Sequence, residues 1–144
     1  MAAVAVAVQS KLLSTTGTTG LKAVYYGDQD KIPTTPAACV AAADKQKSYK
    51  GVGRMANITI ETYIWVYTSV IQSGQQNQID ADTTAELIEG VLEADNRFTV
   101  GGNPQLIDSL VTRLEPGFAT KGNTVMRAVR LTHRAETQQL LPQS

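Results

Sequence analysis

The sequence predicts an α+β domain, and two observations carry that prediction. The first is Asn57 to Thr68, NITIETYIWVYT, which alternates without a break. Ile58, Ile60, Thr62, Ile64, Val66 and Thr68 point one way, and Asn57, Thr59, Glu61, Tyr63, Trp65 and Tyr67 the other. Successive side chains of a strand lie on opposite faces, so this is a strand with one aliphatic and one aromatic–polar face. The second is Thr83 to Ala94, where Leu87, Ile88, Val91 and Leu92 form a stripe at helical spacing. A strand central in an antiparallel sheet, with this helix packed on its aliphatic face, satisfies both patterns. Burying Ile58, Ile60, Ile64 and Val66 is worth roughly 1.5–3 kcal/mol each before the entropy of ordering is charged.

The remaining elements follow in chain order. Ala2 to Leu13 reads as a helix, with Val4, Val8 and Leu12 on one face, against a rival strand in which Val4, Val6 and Val8 alternate. The polar run Ser14 to Gly20 ends it. Leu21 to Tyr26 reads as a short strand, Gly27 to Pro36 as turn, and Ala37 to Ala42 as a strand opening just after Pro36. Asp44 to Met55 reads as a polar loop feeding the long strand, and Ser73 to Asn77 as a second loop. Thr83 and Glu86 have the spacing of a capping box for the following helix. Gly90 within that helix costs about 1 kcal/mol relative to Ala and suggests close packing at that point. Phe98 to Gly102 is a short apolar run into a Gly-Gly turn.

Gln105 to Glu115 carries two readings. Asn103 as cap, Pro104 behind it, and Leu106, Ile107, Leu110, Val111 and Leu114 all favour a helix. The alternative is a strand, with Pro116-Gly117 and Lys121-Gly122-Asn123 as a hairpin loop leading to a strand from Thr124 to His133. Gln138 to Ser144 reads as a tail.

A chain of 144 residues is enough for one domain, and no linker or repeat divides residues 1–144. Thirteen basic and thirteen acidic residues give no overall field toward nucleic acid or an anionic membrane. One cysteine excludes an internal disulfide and a cysteine-built metal site. The apolar start, Ala2 to Val8, lacks a positive leader region and is too short to span a bilayer, which suggests a soluble intracellular product.

The neutral total hides segregated charge. Asp80 to Asp95 holds six carboxylates and no basic residue; Asp82, Glu86, Glu89 and Glu93 are its candidate functional row. Lys45, Lys47, Lys50 and Arg54, with Tyr49 among them, make one basic segment. Arg113, Arg127, Arg130 and Arg134 belong to the second, where Lys121 also lies and Glu115 is the one acid.

No set of residues fills nucleophile, base and charge-stabiliser roles together, so no catalytic residue, metal ligand or cofactor site is assigned and the chain is not read as an enzyme. His133 is the only histidine and reads as structural or exposed. Cys39, among alanines, reads as a small buried side chain. Gly51-Val52-Gly53-Arg54 runs into a strand rather than a helix and lacks a phosphate loop's Lys-Ser/Thr pair. The residues leave two classes: a protein that works by assembling, or a small domain that binds a ligand against the aromatic face.

The element order adds a resemblance. A helix precedes "YGD…IP…PA", Tyr25 to Ala37. "GVGR", Gly51 to Arg54, feeds the strand ending "IWVY", Ile64 to Tyr67. "AELIEGVLEAD", Ala85 to Asp95, is followed by "FTVGG", "VTRLEPG" at Val111 to Gly117, and "VMRAVRLTHR", Val125 to Arg134. This layout, across nearly the whole chain, resembles the tail-terminator, or tail-completion, proteins of tailed bacteriophages. The resemblance implies a small antiparallel sheet with helices on one face, and a strand rather than a helix from Leu106 to Glu115. It also implies a virion structural protein, assembled in the host cytoplasm. Its ring, usually of six copies, would close the head-proximal end of the tail tube and join it to the neck. The implied partners are other copies of itself, the tube protein, neck or connector proteins, and DNA passing through the lumen without specific binding; no membrane is involved. Another neck, connector or tube component is the neighbouring alternative. On this reading Asp82, Glu86, Glu89 and Glu93 are lumen-facing or inter-subunit. Lys45, Lys47, Tyr49, Lys50, Arg54, Arg113, Arg127, Arg130 and Arg134 are candidates for contacts between subunits or with partners.

Overall fold

The computed structural model describes residues 2–27, 29, 32, 35–49, 55–69, 74–94, 108–121 and 124–140. Five strands form one sheet in the order β1 (Ala23–Tyr26), β2 (Ala37–Tyr49), β3 (Met55–Ser69), β5 (Thr124–Leu140), β4 (Asp108–Lys121). β1 runs parallel to β2, and every other neighbouring pair is antiparallel. Among the described residues three helices, α1 (Ala2–Ser14), α2 (Thr16–Thr19) and α3 (Gly74–Ala94), complete an α+β fold. α1 packs on β1 and β2, α3 packs on β3, β5 and β4, and α2 touches both helices. None of the described helices is long and apolar enough to cross a membrane.

The sheet is built around β3, as the alternation requires. Ile58, Ile60, Thr62, Ile64, Val66 and Thr68 are all buried, and the four aliphatic ones join Val4, Val8 and Leu12 of α1 and Ile88 and Leu92 of α3 in the main core. Residues paired across antiparallel strands share a face. Ile64 opposite Val40 and Leu131 therefore marks the helix-covered side right across the sheet centre. α1 is the helix its Val4–Val8–Leu12 spacing predicts, and Val6, which a strand reading would bury beside them, is 47% exposed. The run after Ser14 adds the single turn α2, closed at Gly20 in the left-handed region (φ 78°) with its N–H donating to the Thr16 carbonyl at 2.8 Å.

Four expected element boundaries are corrected. Asp44 to Tyr49 is not loop but the second half of β2, paired with β3 from Asp44↔Glu61 to Tyr49↔Ala56 after a bulge at Ala43. Backbone pairing overrides its polar composition; residues 50–54 of the expected loop lie outside the described residues. α3 starts at Gly74 rather than Thr83, so Gly74 to Asn77 is helical and Thr83 is a mid-helix residue, not a cap. Its buried stripe is Ala81, Thr84, Ala85, Ile88 and Leu92, while Val91 is half-buried and Leu87 exposed. β4 continues through Pro116 and Gly117, expected as hairpin loop, and an edge strand tolerates a proline because one N–H need not join the ladder. β5 runs on to Leu140, taking Gln138 to Leu140 from the expected tail.

The strand expected from Leu106 to Glu115 is a strand over its described part, Asp108 onward, despite local helix signals. The Phe98 to Gly102 turn lies outside the described residues, as does much of Gly27 to Pro36. Gly90 does not mark close packing: it is exposed, and a Cβ there would meet nothing within 4 Å. Gly90→Ala should therefore stabilise the protein by about 1 kcal/mol in urea unfolding, from helix propensity and a less flexible unfolded chain. A neutral or destabilising result would mean the site is covered.

Candidate functional site

The pleat gives this sheet a second face on which none of the described helices packs. Its residues are the odd positions of β3 and, by register, the even positions of β5: Glu61 faces Arg134, Tyr63 faces Thr132, Trp65 faces Arg130 and Tyr67 faces Ala128. β4 continues the rows with Arg113 beside Thr132 and Glu115 beside Arg130. Near the β1 end the face is apolar. Ile32 lies over it, buried with Cys39, Tyr67, Met126 and Ala128. Tyr25 and Trp65 border that cluster.

Away from Ile32 the face holds an ordered polar–aromatic group. Arg130 Nη2 donates to Glu115 Oε1 at 2.6 Å, and the Arg130 guanidinium lies 4.5 Å from the Tyr63 ring centroid. Tyr63 meets Trp65 edge-on, with centroids 5.6 Å apart and planes at 74°. Arg113 Nε lies 3.7 Å from the same Glu115 oxygen. The hydrogen bond from Arg130 holds the Glu115 carboxyl below its usual range, helped by the charges of Arg113 and Arg130, while burial opposes the shift. The same bond raises Arg130 above its ordinary value. An arginine clamped between a carboxylate and an aromatic ring is stiff and already partly desolvated, the state in which Arg, Tyr and Trp act as interface anchors.

The basic candidates are thus divided by the pleat. Arg113, Arg130 and Arg134 lie on the helix-free face, and Arg134 Nη2 is 3.7 Å from Glu136. Arg127, opposite Thr68, lies on the other face with its guanidinium 4.5 Å from the Phe118 centroid. Lys45, Lys47 and Tyr49 are β2 residues, at positions that alternate with Asp44, Gln46 and Ser48. Lys50 and Arg54 lie outside the described residues.

The acidic candidates do share one surface. At about 100° per residue, Asp82, Glu86, Glu89 and Glu93 fall in a stripe roughly 60° wide on one flank of α3, bordering the buried Ala81–Ala85–Ile88–Leu92 line, with Asp82 and Glu89 half-buried. Burial, and then the charges of Glu93 and Glu86, raise the Glu89 carboxyl above its usual value. Repulsion along the stripe is therefore part of the native state.

His133 is fully buried on the helix-covered face, opposite Thr62 and Val111, and burial pushes its imidazole down to about 4. Cys39 is buried and forms no disulfide. Among the described residues no three His, Cys, Asp or Glu side chains gather as a metal site. Sequence reasoning missed Glu115 as the partner of Arg130 and missed Phe118 altogether. The first depends on the β4–β5 register, and the second was read as loop.

No family model matches the chain, and no curated protein matches its sequence. Among solved structures it is similar to a chain of a structure titled "Virion of native gene transfer agent (GTA) particle", with a TM-score of 0.62 and 17% identity over 92% of each chain. A likeness at that identity is one of fold.

Proposed function

We propose that this chain is a non-enzymatic virion structural protein of a phage-like particle. Specifically, it is a tail terminator whose copies form a ring, six by family resemblance, capping the head-proximal end of the tail tube and joining it to the neck. The observation that carries this reading is the helix-free sheet face. Tyr63, Trp65 and an Arg130 fixed by Glu115 stand ready there for another protein surface. The likeness of fold to a chain from a virion, together with the element order, supports the choice of particle.

DNA passes through such a ring without being held, since each Lys or Arg on the backbone adds affinity through counterion release. The acidic stripe of α3 has two uses on this reading: a lumen wall that repels phosphate, or a contact with the neighbouring copy. The test is negative-stain imaging of the purified protein mixed with tail tubes. Rings seated at one end of the tubes are the expected result. Tubes built from the protein itself would assign it to the tube instead, and free protein with bare tube ends would overturn the reading.

A further inference from the structure

β5 carries two arginines that start alike and end differently. Arg127 and Arg130 lie three residues apart, and the pleat sends them to opposite faces of the sheet. Each guanidinium lies 4.5 Å from an aromatic centroid, Arg130 over Tyr63 and Arg127 over Phe118. A ring takes the face of a guanidinium and leaves its N–H edge free to donate. On Arg130 that edge is used, since Nη2 donates to Glu115 Oε1 at 2.6 Å.

On Arg127 the edge has no such partner. Among the described arginines, Arg113, Arg130 and Arg134 each have a carboxylate oxygen no farther than 3.7 Å away. Arg127 has none among the described residues, and its Nε is buried without a hydrogen-bond acceptor. Thr68, opposite Arg127 across β3 and β5, is buried as well, yet its hydroxyl neither accepts from Arg127 nor bonds elsewhere. This end of the helix-covered side therefore supplies Arg127 with no acceptor. Buried polar groups are nearly always paired, so the missing complement is an anion from outside. The Arg127 side chain as a whole is only half-buried, which leaves its terminal nitrogens for that anion.

The place is reachable from the side. Phe118 belongs to β4, which lies at the edge of the sheet and, among the described strands, pairs only with β5. α3 packs on this side of the sheet but leaves Phe118 66% exposed. The outer N–H and C=O groups of an edge strand are a template for one more strand. Neighbouring strands lie about 4.8 Å apart. A residue level with Phe118 on a strand added beside β4 would bring its side chain to the edge of the stacked guanidinium.

We infer that Arg127, stacked on Phe118, receives an Asp or Glu side chain carried on an extended acidic segment of a partner protein laid along β4. Arg130 shows the same chemistry complete within this chain, with a ring on the guanidinium face and a carboxylate on its edge. A nucleic-acid backbone is met by several cations together, whereas the row Thr68, Arg127 and Phe118 holds one, which selects carboxylate over phosphate. The open strand edge selects an extended segment over the acidic helix stripe of another copy. The inference rests on the proposed function only in taking the segment's owner to be another virion component.

The probe is a short, soluble, Ser- and Thr-rich peptide with one central glutamate and a fluorescent label, followed by anisotropy at fixed ionic strength. Two companions carry glutamine or phosphoserine in place of the glutamate. Wild type should bind the glutamate peptide. Arg127→Gln, or the glutamine peptide, should each weaken binding by about tenfold or more. Combining the two should cost little beyond either alone, because the same contact is lost once. Arg127→Gln removes an unpaired charge, so its melting should match or exceed that of wild type. Phe118→Ser, at an exposed position, removes the platform and is the second route if the first variant misfolds. No binding to wild type, equal binding of the glutamate and glutamine peptides, or no effect of Arg127→Gln would each overturn the inference. Preference for the phosphoserine peptide would overturn it in favour of a phosphate ligand. Wild-type oligomers that Arg127→Gln dissolves without any peptide would overturn it in favour of a second copy. Arg127-dependent binding of the glutamate peptide, alongside bare tube ends in the imaging, would sink the proposed function and leave this site standing.

Discussion

Ile64→Asp should abolish soluble folding. Ile64 is fully buried between Val40 and Leu131 at the middle of the sheet, under the helices. Truncation to Ala at such a site costs about 2–5 kcal/mol. A carboxylate adds the penalty of an unpaired buried charge, several kcal/mol more. Together these rival the whole stability of an ordinary domain, roughly 5–15 kcal/mol. Asn57→Asp, on the same strand but exposed, is the control and should express and melt like wild type. A cooperative, wild-type-like melt for Ile64→Asp would mean β3 does not hold the core.

Acid should weaken the protein through His133. Its folded-state value, about 4, lies below the ordinary 6.5 because burial disfavours the imidazolium. The unfolded chain therefore binds a proton that the native state refuses between those limits. Stability is at its full value above 6.5, falls as the pH drops toward about 4, and levels off below that. The loss amounts to about 3 kcal/mol at 1.36 kcal/mol per unit. His133→Leu removes the titration. Carboxylates such as Glu115 and Glu89 titrate in both proteins, so the informative quantity is the wild-type minus variant difference in urea unfolding. That difference should move in the variant's favour by about this amount between pH 7 and 4. Parallel curves would show that His133 is protonated in the native state at no cost.

The parts of this fold that were legible in the sequence are those whose pattern is intrinsic to one element. β3 alternates over its whole central length because both its faces are specified, and α1 shows its buried line in three aliphatic residues. The errors have physical causes. Thr83 and Glu86 have capping-box spacing, but a helix that begins nine residues earlier leaves their side chains on its surface. Asp44 to Tyr49 is polar on both faces, so nothing local reveals that β3 holds it as strand. Asn103, Pro104 and the leucine spacing argue for helix, yet from Asp108 onward pairing with β5 makes a strand. The site was less legible still. Arg113 to Arg134 looks like one basic segment in the linear sequence. The pleat sends Arg127 to one face and Arg130 to the other, and only the β4–β5 register brings Glu115 to Arg130.

The strand order also sets when the molecule can exist. β3 has neighbours of very different origin: β2 is the strand just before it in the chain, but on the other side Met55 pairs with Leu140 and Ser69 with Met126. A nascent chain that has emerged through β3, α3 and β4 has neither a partner for that inner edge nor a neighbour for β4, whose ladder is also with β5. The sheet therefore cannot close during synthesis until residues near 140 leave the ribosome. Until then an apolar strand edge stands open to pairing with other chains. Folding of the sheet is accordingly dominated by long-range closure, on the milliseconds-to-seconds scale of high-contact-order domains. A ribosome stalled before β5 should leave a chain that is protease-sensitive throughout, rather than a half-built domain.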